Sequence, residues 1–83
     1  MDKPDLRGNN VGMSLEFRKK LGQRIKAIRE KQNLSREDIA FLCDFSGSYM
    51  GMIERAENDF KISKLHKIAK ALKVDIKTLF DFD

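Results

Sequence analysis

The chain has 83 residues, 41% hydrophobic and 36% charged, with 17 Lys+Arg against 13 Asp+Glu for a formal net charge of +4. That length allows one small domain, and the balance is that of a soluble globular chain, not a disordered tail. A single cysteine, Cys43, excludes an internal disulfide and every multi-cysteine zinc pattern, and a single histidine, His66, leaves little for acid–base chemistry, which argues against an enzyme.

Residues 1–13 (MDKPDLRGNNVGM) hold the only proline, two of the five glycines and an Asn-Asn pair. With no helical or strand period, they are expected to form a flexible arm, and Met13 is an alternative start. They lack the apolar stretch of a signal peptide, and no run approaches the roughly 18 apolar residues of a membrane span, so a cytoplasmic location without membrane contact is expected. From Ser14 the pattern changes. Phe17, Leu21, Ile25 and Ile28 fall on one helical stripe, with Ser14 as N-cap and Gln32-Asn33 as the end, predicting a helix over 14–32. Gly22 inside it signals close packing or a tolerated defect costing roughly 1 kcal/mol.

Ser35 opens a second helix (35–43) as S-x-x-D with Asp38, a near capping box, and turns Ile39, Ala40 and Cys43 inward. Asp44 ends it. Ser46 starts a third helix (46–55) with Met50 and Ile53 inward. Asn58 to Lys61 is expected to be a loop. Leu65, Ile68, Ala69 and Leu72 mark a fourth helix (62–72), and Asp75 caps a fifth (75–81) with Ile76, Leu79 and Phe80. No strand-like alternation persists. The expectation is an all-α, compact five-helix domain.

Arg36 to Arg55 read as helix, tight turn, helix. Two helices crossing steeply need a small residue at their contact, which Ala40 supplies. The turn needs positive φ, for which Asp44 is among the better non-glycine choices. The stretch resembles the helix-turn-helix of the phage repressor/Cro (XRE) family. The resemblance extends through LGQRIKAIREKQNLSREDIA, MIERAEN and LHKIAKALKVDIKTLF, from Leu15 to Phe80. NDFKISKLHKIAKAL further resembles the controller proteins of restriction–modification systems.

The resemblance implies a fold of the lambda-repressor type over 14–83 and a sequence-specific transcription regulator. It would act as a homodimer on a palindromic operator, with the third helix in a major groove roughly 12 Å wide. By position, Arg36 would touch phosphate and sometimes a base edge. Ser46 matches the recognition-helix N-cap; Gly47, Ser48, Tyr49 and Met52 match the positions that face DNA. Arg55 matches a phosphate contact, and Arg29 with Glu54 an ion pair stapling the first helix to the third. Lys61 or Lys64 is a further phosphate candidate. Gly47 and Ser48 stand where stronger readers carry Arg, Gln or Asn, so reading leans on DNA shape. Gly47 and Gly51 remove bulk, so that backbone amides could approach phosphate.

Charge sets a counter-current. Residues 14–33 carry seven basic and two acidic groups, but residues 34–60 carry only Arg36 and Arg55 against six acids. Glu37, Asp38 and Glu57 would have to point away from phosphate. Ile76, Leu79, Phe80 and Phe82 exceed what a domain this size needs inside, which points to dimerisation through the last helix; core closure by Leu79 and Phe80 is the plainer alternative. Cys43 reads as a small core residue, His66 as exposed or capping, and Arg18, Lys19 and Lys20 as solvated surface. Beyond double-stranded DNA and a second copy, RNA polymerase is a candidate partner. No cofactor, metal or small-molecule effector is expected. The rival reading is a protein-interaction module or antitoxin that keeps the fold with weak or no DNA binding.

Overall fold

The computed structural model describes residues 14–57 and 61–82. Five helices follow one another there: α1 (Leu15–Lys31), α2 (Arg36–Cys43), α3 (Gly47–Glu54), α4 (Ile62–Ala71) and α5 (Ile76–Leu79). Each falls inside the range expected of it, shorter by one or two residues at an end. The expected flexible arm, 1–13, and residues 58–60 of the expected loop lie outside the described residues. No helix among the described residues is long and apolar enough to cross a membrane.

The first three helices start in one way. Ser14 Oγ accepts from Phe17 N–H at 3.1 Å, Ser35 Oγ from Asp38 N–H at 2.9 Å and Ser46 Oγ from Tyr49 N–H at 3.0 Å. Each bond satisfies a donor that the helix itself leaves without a partner. At Ser35 the box closes, since Ser35 N–H donates back to Asp38 Oδ2 at 2.8 Å. Asp75 departs from expectation. It stands at the N-cap of α5, but its side chain makes no cap bond. That single turn is held instead by Leu79 in the core and by Arg24, whose Nε donates to Thr78 O at 3.0 Å.

The first four helices also end alike. Asn33, Asp44, Ala56 and Lys73 adopt positive φ of 59°, 61°, 60° and 59°. At each, the following amide folds back across the last turn: Leu34 N–H to Arg29 O, Phe45 N–H to Ala40 O, Glu57 N–H to Met52 O and Val74 N–H to Ala69 O, at 2.8–3.1 Å. Only Asp44 was expected among these. Alanine and lysine have no local hydrogen bond to ease a left-handed backbone, so Ala56 and Lys73 hold it through those backbone bonds.

Leu21, Ile25, Ile39, Met50, Ile53, Leu65, Ile68, Leu72 and Leu79 are fully buried, each stabilising the fold by about 1.5–3 kcal/mol. Two expectations change here. Leu79, expected at a dimer interface, lies inside the single chain and closes its core. Phe17, expected in the core stripe, is 38% exposed and lies at the margin, stacked on Phe80 (ring centroids 6.0 Å apart) and edge-on to Phe82 (5.3 Å). The chain thus uses part of its surplus aromatic surface on itself.

α1 also ties down the ends of other helices. Arg18 Nη1 donates to Ala56 O at 3.3 Å, just past α3, and Gln32 Nε2 donates to Leu72 O at 2.8 Å, just past α4. With Arg24 on Thr78 O, one helix supplies donors to the carbonyl ends of three others. Arg18, read as solvated surface, is therefore a half-buried brace.

Candidate nucleic-acid interface

α2 ends at Asp44 in the left-handed region, and two residues later Ser46 caps the start of α3. The two helices pack on each other, and small Ala40 with Ile39, Met50 and Ile53 is buried in the shared core. Gly47 begins α3 against α2: a Cβ there would lie 3.4 Å from Glu37 Oε2. The start of the third helix and the start of the second thus share one surface. Arg36, Ser46 and Ser48 are exposed on these two starts, and Gly47, Tyr49 and Met52 are half-buried. The amides of Gly47 and Ser48 precede the first i→i−4 bond of α3, Met50 N–H to Ser46 O, so this end carries the partial positive charge of a helix start.

Tyr49 divides its surface. One side packs edge-on against Phe45 (centroids 5.0 Å, 84° between planes), which fixes the ring while part of it stays exposed. Lys64, a phosphate candidate, holds its Nζ 5.3 Å over the same Phe45 ring. Lys61 is exposed at the N-cap of α4, with no side-chain cap bond.

The rear of α3 is gripped. Arg29 Nε donates to Glu54 Oε2 at 2.7 Å and Nη2 to Glu54 Oε1 at 3.1 Å, a two-point pair in which the side chains are 9% and 3% exposed. Arg29 Nη1 donates to Leu34 O at 2.7 Å, so one guanidinium joins α1, the α1–α2 loop and α3. The hydrogen-bonded Glu54 carboxylate raises the pKa of Arg29 still further, against the opposing effect of burial. Gly22 of α1 explains itself at the same contact. A Cβ on it would stand 2.7 Å from the carbonyl oxygens of both Ile53 and Glu54, so close packing requires the glycine.

The acids that opposed phosphate are largely engaged. Asp38 is turned back on Ser35, whose backbone N–H and then hydroxyl lower its pKa. Glu57 pairs with Arg55, whose Nε donates to Glu57 Oε2 at 2.8 Å and Nη2 to Oε1 at 3.3 Å. That bond lowers the pKa of Glu57 and raises that of Arg55. Gly51, expected to open the helix to phosphate, is buried: the Arg55 guanidinium lies over it, with Nη1 2.8 Å from where a Cβ would be. Sequence reasoning missed Gly51 and Glu57 as neighbours of Arg55. The signal was their spacing, one helical turn before it and two residues after. Cys43 is buried, and burial pushes its thiol pKa up, as suits a core residue.

Comparison with known proteins agrees with this geometry. The control protein C.BamHI of Bacillus amyloliquefaciens is 39% identical over 71 residues, spanning 84% of this chain and 88% of that protein. The restriction-modification controller protein C.AhdI from Aeromonas hydrophila superposes with a TM-score of 0.73 at 35% identity, covering 75% of this chain and 94% of the other. The master regulator for biofilm formation SinR, solved in complex with DNA, superposes with a TM-score of 0.68 at 34% identity over 74% of this chain and 98% of its own. Residues 25–79, more than half of the sequence and the stretch that holds the α2–α3 unit, match the helix-turn-helix family model HTH_3, and the chain belongs to that family.

Proposed function

We propose that the chain is a sequence-specific transcription regulator that binds double-stranded DNA as a homodimer on a palindromic operator. The observation that carries this reading is the asymmetry of α3, whose rear is fixed and buried by Arg29–Glu54 while its start keeps Ser46 and Ser48 exposed and Gly47 and Tyr49 half-exposed. A helix held in that way can enter a major groove and keep its orientation there. Ser48, Tyr49 and Met52 meet base edges and thymine methyl groups. Arg36, Arg55, Lys61 and the Gly47–Ser48 amides set register on phosphates.

The second copy docks through Ile76 with the outer faces of Phe80 and Phe82, all half-buried in the single chain; Ile76 also lines a hollow with Val74, Ala69 and His66. Two half-sites then lie about one helical turn apart. As an operator-binding protein it works in the cytoplasm, where the promoter and RNA polymerase are.

One observation favours a second reading, an interaction module. Phe41 and Leu42, at the end of α2 remote from Arg36, are 84% and 59% exposed, an adjacent apolar pair suited to a protein partner such as polymerase. Selection of duplexes from a random pool by the purified full chain, followed by titration of the winner against salt, tests both. A palindrome with a steep salt slope is expected. A folded, soluble protein that enriches no duplex would overturn operator binding and leave the interaction module.

A further inference from the structure

Arg55 caps the end of α3 with its side chain facing solvent, and it does not stand alone. A guanidinium has five N–H donors in a rigid plane. Glu57 takes the Nε side and one donor of Nη2, which leaves Nη1 and the second Nη2 hydrogen as an edge without a hydrogen-bond partner among the described residues. The group rests flat on Gly51, where the missing side chain makes room for it. Two neighbours therefore fix one arginine, with 53% of its side chain still exposed.

We infer that Glu57 is a positioning residue, holding Arg55 flat on Gly51 so that the remaining guanidinium edge meets a DNA phosphate two-pronged. The inference rests on the DNA-binding reading above. An acid beside a phosphate contact ordinarily weakens binding by repulsion. Here the repulsion is offset because the arginine no longer has to be ordered when DNA arrives; a long, rotamer-rich side chain otherwise loses that freedom on binding. Gly51 has the matching role. It gives up helix propensity at a buried position where the atoms nearest an added Cβ are those of the Arg55 guanidinium.

The test is a double-mutant cycle in the full chain, with the duplex that wild-type protein enriches from a random pool and a scrambled duplex of equal length as probes. Charge alone predicts that Glu57→Gln tightens binding, because it removes a negative group. Positioning predicts the reverse: Glu57→Gln weakens binding to the selected duplex about threefold to tenfold when Arg55 is present, and gives no loss in an Arg55→Ala background. Gly51→Ala, whose methyl meets the flexible guanidinium first and displaces it, should hold or raise the thermal midpoint and still weaken duplex binding. Equal tightening by Glu57→Gln in both backgrounds, or wild-type binding by Gly51→Ala, overturns the positioning role while operator binding stands. A wild-type protein that binds neither duplex overturns both.

Discussion

Glu54 and Arg55 are sequence neighbours, and each closes an arginine–glutamate pair through two hydrogen bonds, yet the two pairs differ in nearly every consequence. Arg29–Glu54 spans 25 residues and is closed off from water, with the Leu34 carbonyl taking a further donor. Arg55–Glu57 spans two residues and is about half exposed on each side. In the first, both charges have lost their hydration, so neither can be spared without stranding the other. In the second, water screens and replaces whatever is removed, and the pair adds little to folding. Identical chemistry thus serves architecture on one face of α3 and ligand contact on the other. Burial decides which.

The largest expected effect is at the buried pair. Arg29→Ala should destabilise the fold by about 3–5 kcal/mol in chemical denaturation, because buried Glu54 is left without its partner; replacing both partners together by Met and Leu should recover most of it. An Arg29→Ala protein as stable as Glu57→Gln would break the contrast. The glycines give the next effect. Gly22→Ala pushes a methyl against two backbone carbonyls that cannot move aside, for a cost of about 1–3 kcal/mol, whereas Gly51→Ala meets a flexible side chain first. Comparing their thermal midpoints sharpens the distinction between a rigid and a yielding neighbour.

The smallest effect is a pH dependence. Asp38 has its folded-state pKa depressed by Ser35, so its contribution is present above the unfolded carboxylate value, about 3.9, and disappears as pH falls through the lower folded value. Wild type should therefore lose more stability than Asp38→Asn between pH 6 and pH 3, since Asn has no proton to take up. Equal losses would remove Asp38 from the account.

Local features were legible in the sequence because their causes are local. Ser14, Ser35 and Ser46 announce helix starts a few residues ahead of the amides they accept from, and Asp44 announces a left-handed turn. Ala56 and Lys73 did not, since neither residue type favours the conformation imposed by the backbone bonds around it. Arg18 read as solvated surface, and nothing near Arg24 or Gln32 signals a brace, because their partners lie 38, 54 and 40 residues away. Leu79 misled for another reason. Apolar character shows that a side chain will be covered, and says nothing about whether its own chain or a second copy covers it. At the interface, the acid surplus of residues 34–60 looked like a barrier to DNA until Asp38 and Glu57 were seen bonded to their own neighbours.

The grip of α1 on α3 lies at its last turn, where Gly22 admits the Ile53 and Glu54 carbonyls and Arg29 holds Glu54. Nothing in that grip depends on the side chain at Ser48, and little on the exposed half of Tyr49. Folding and vocabulary are therefore separable in this molecule. Descendants of such a chain can exchange the letters on the leading turn, drift from one target to another, and inherit the scaffold unchanged, because selection on the fold and selection on the message act at opposite ends of one short helix.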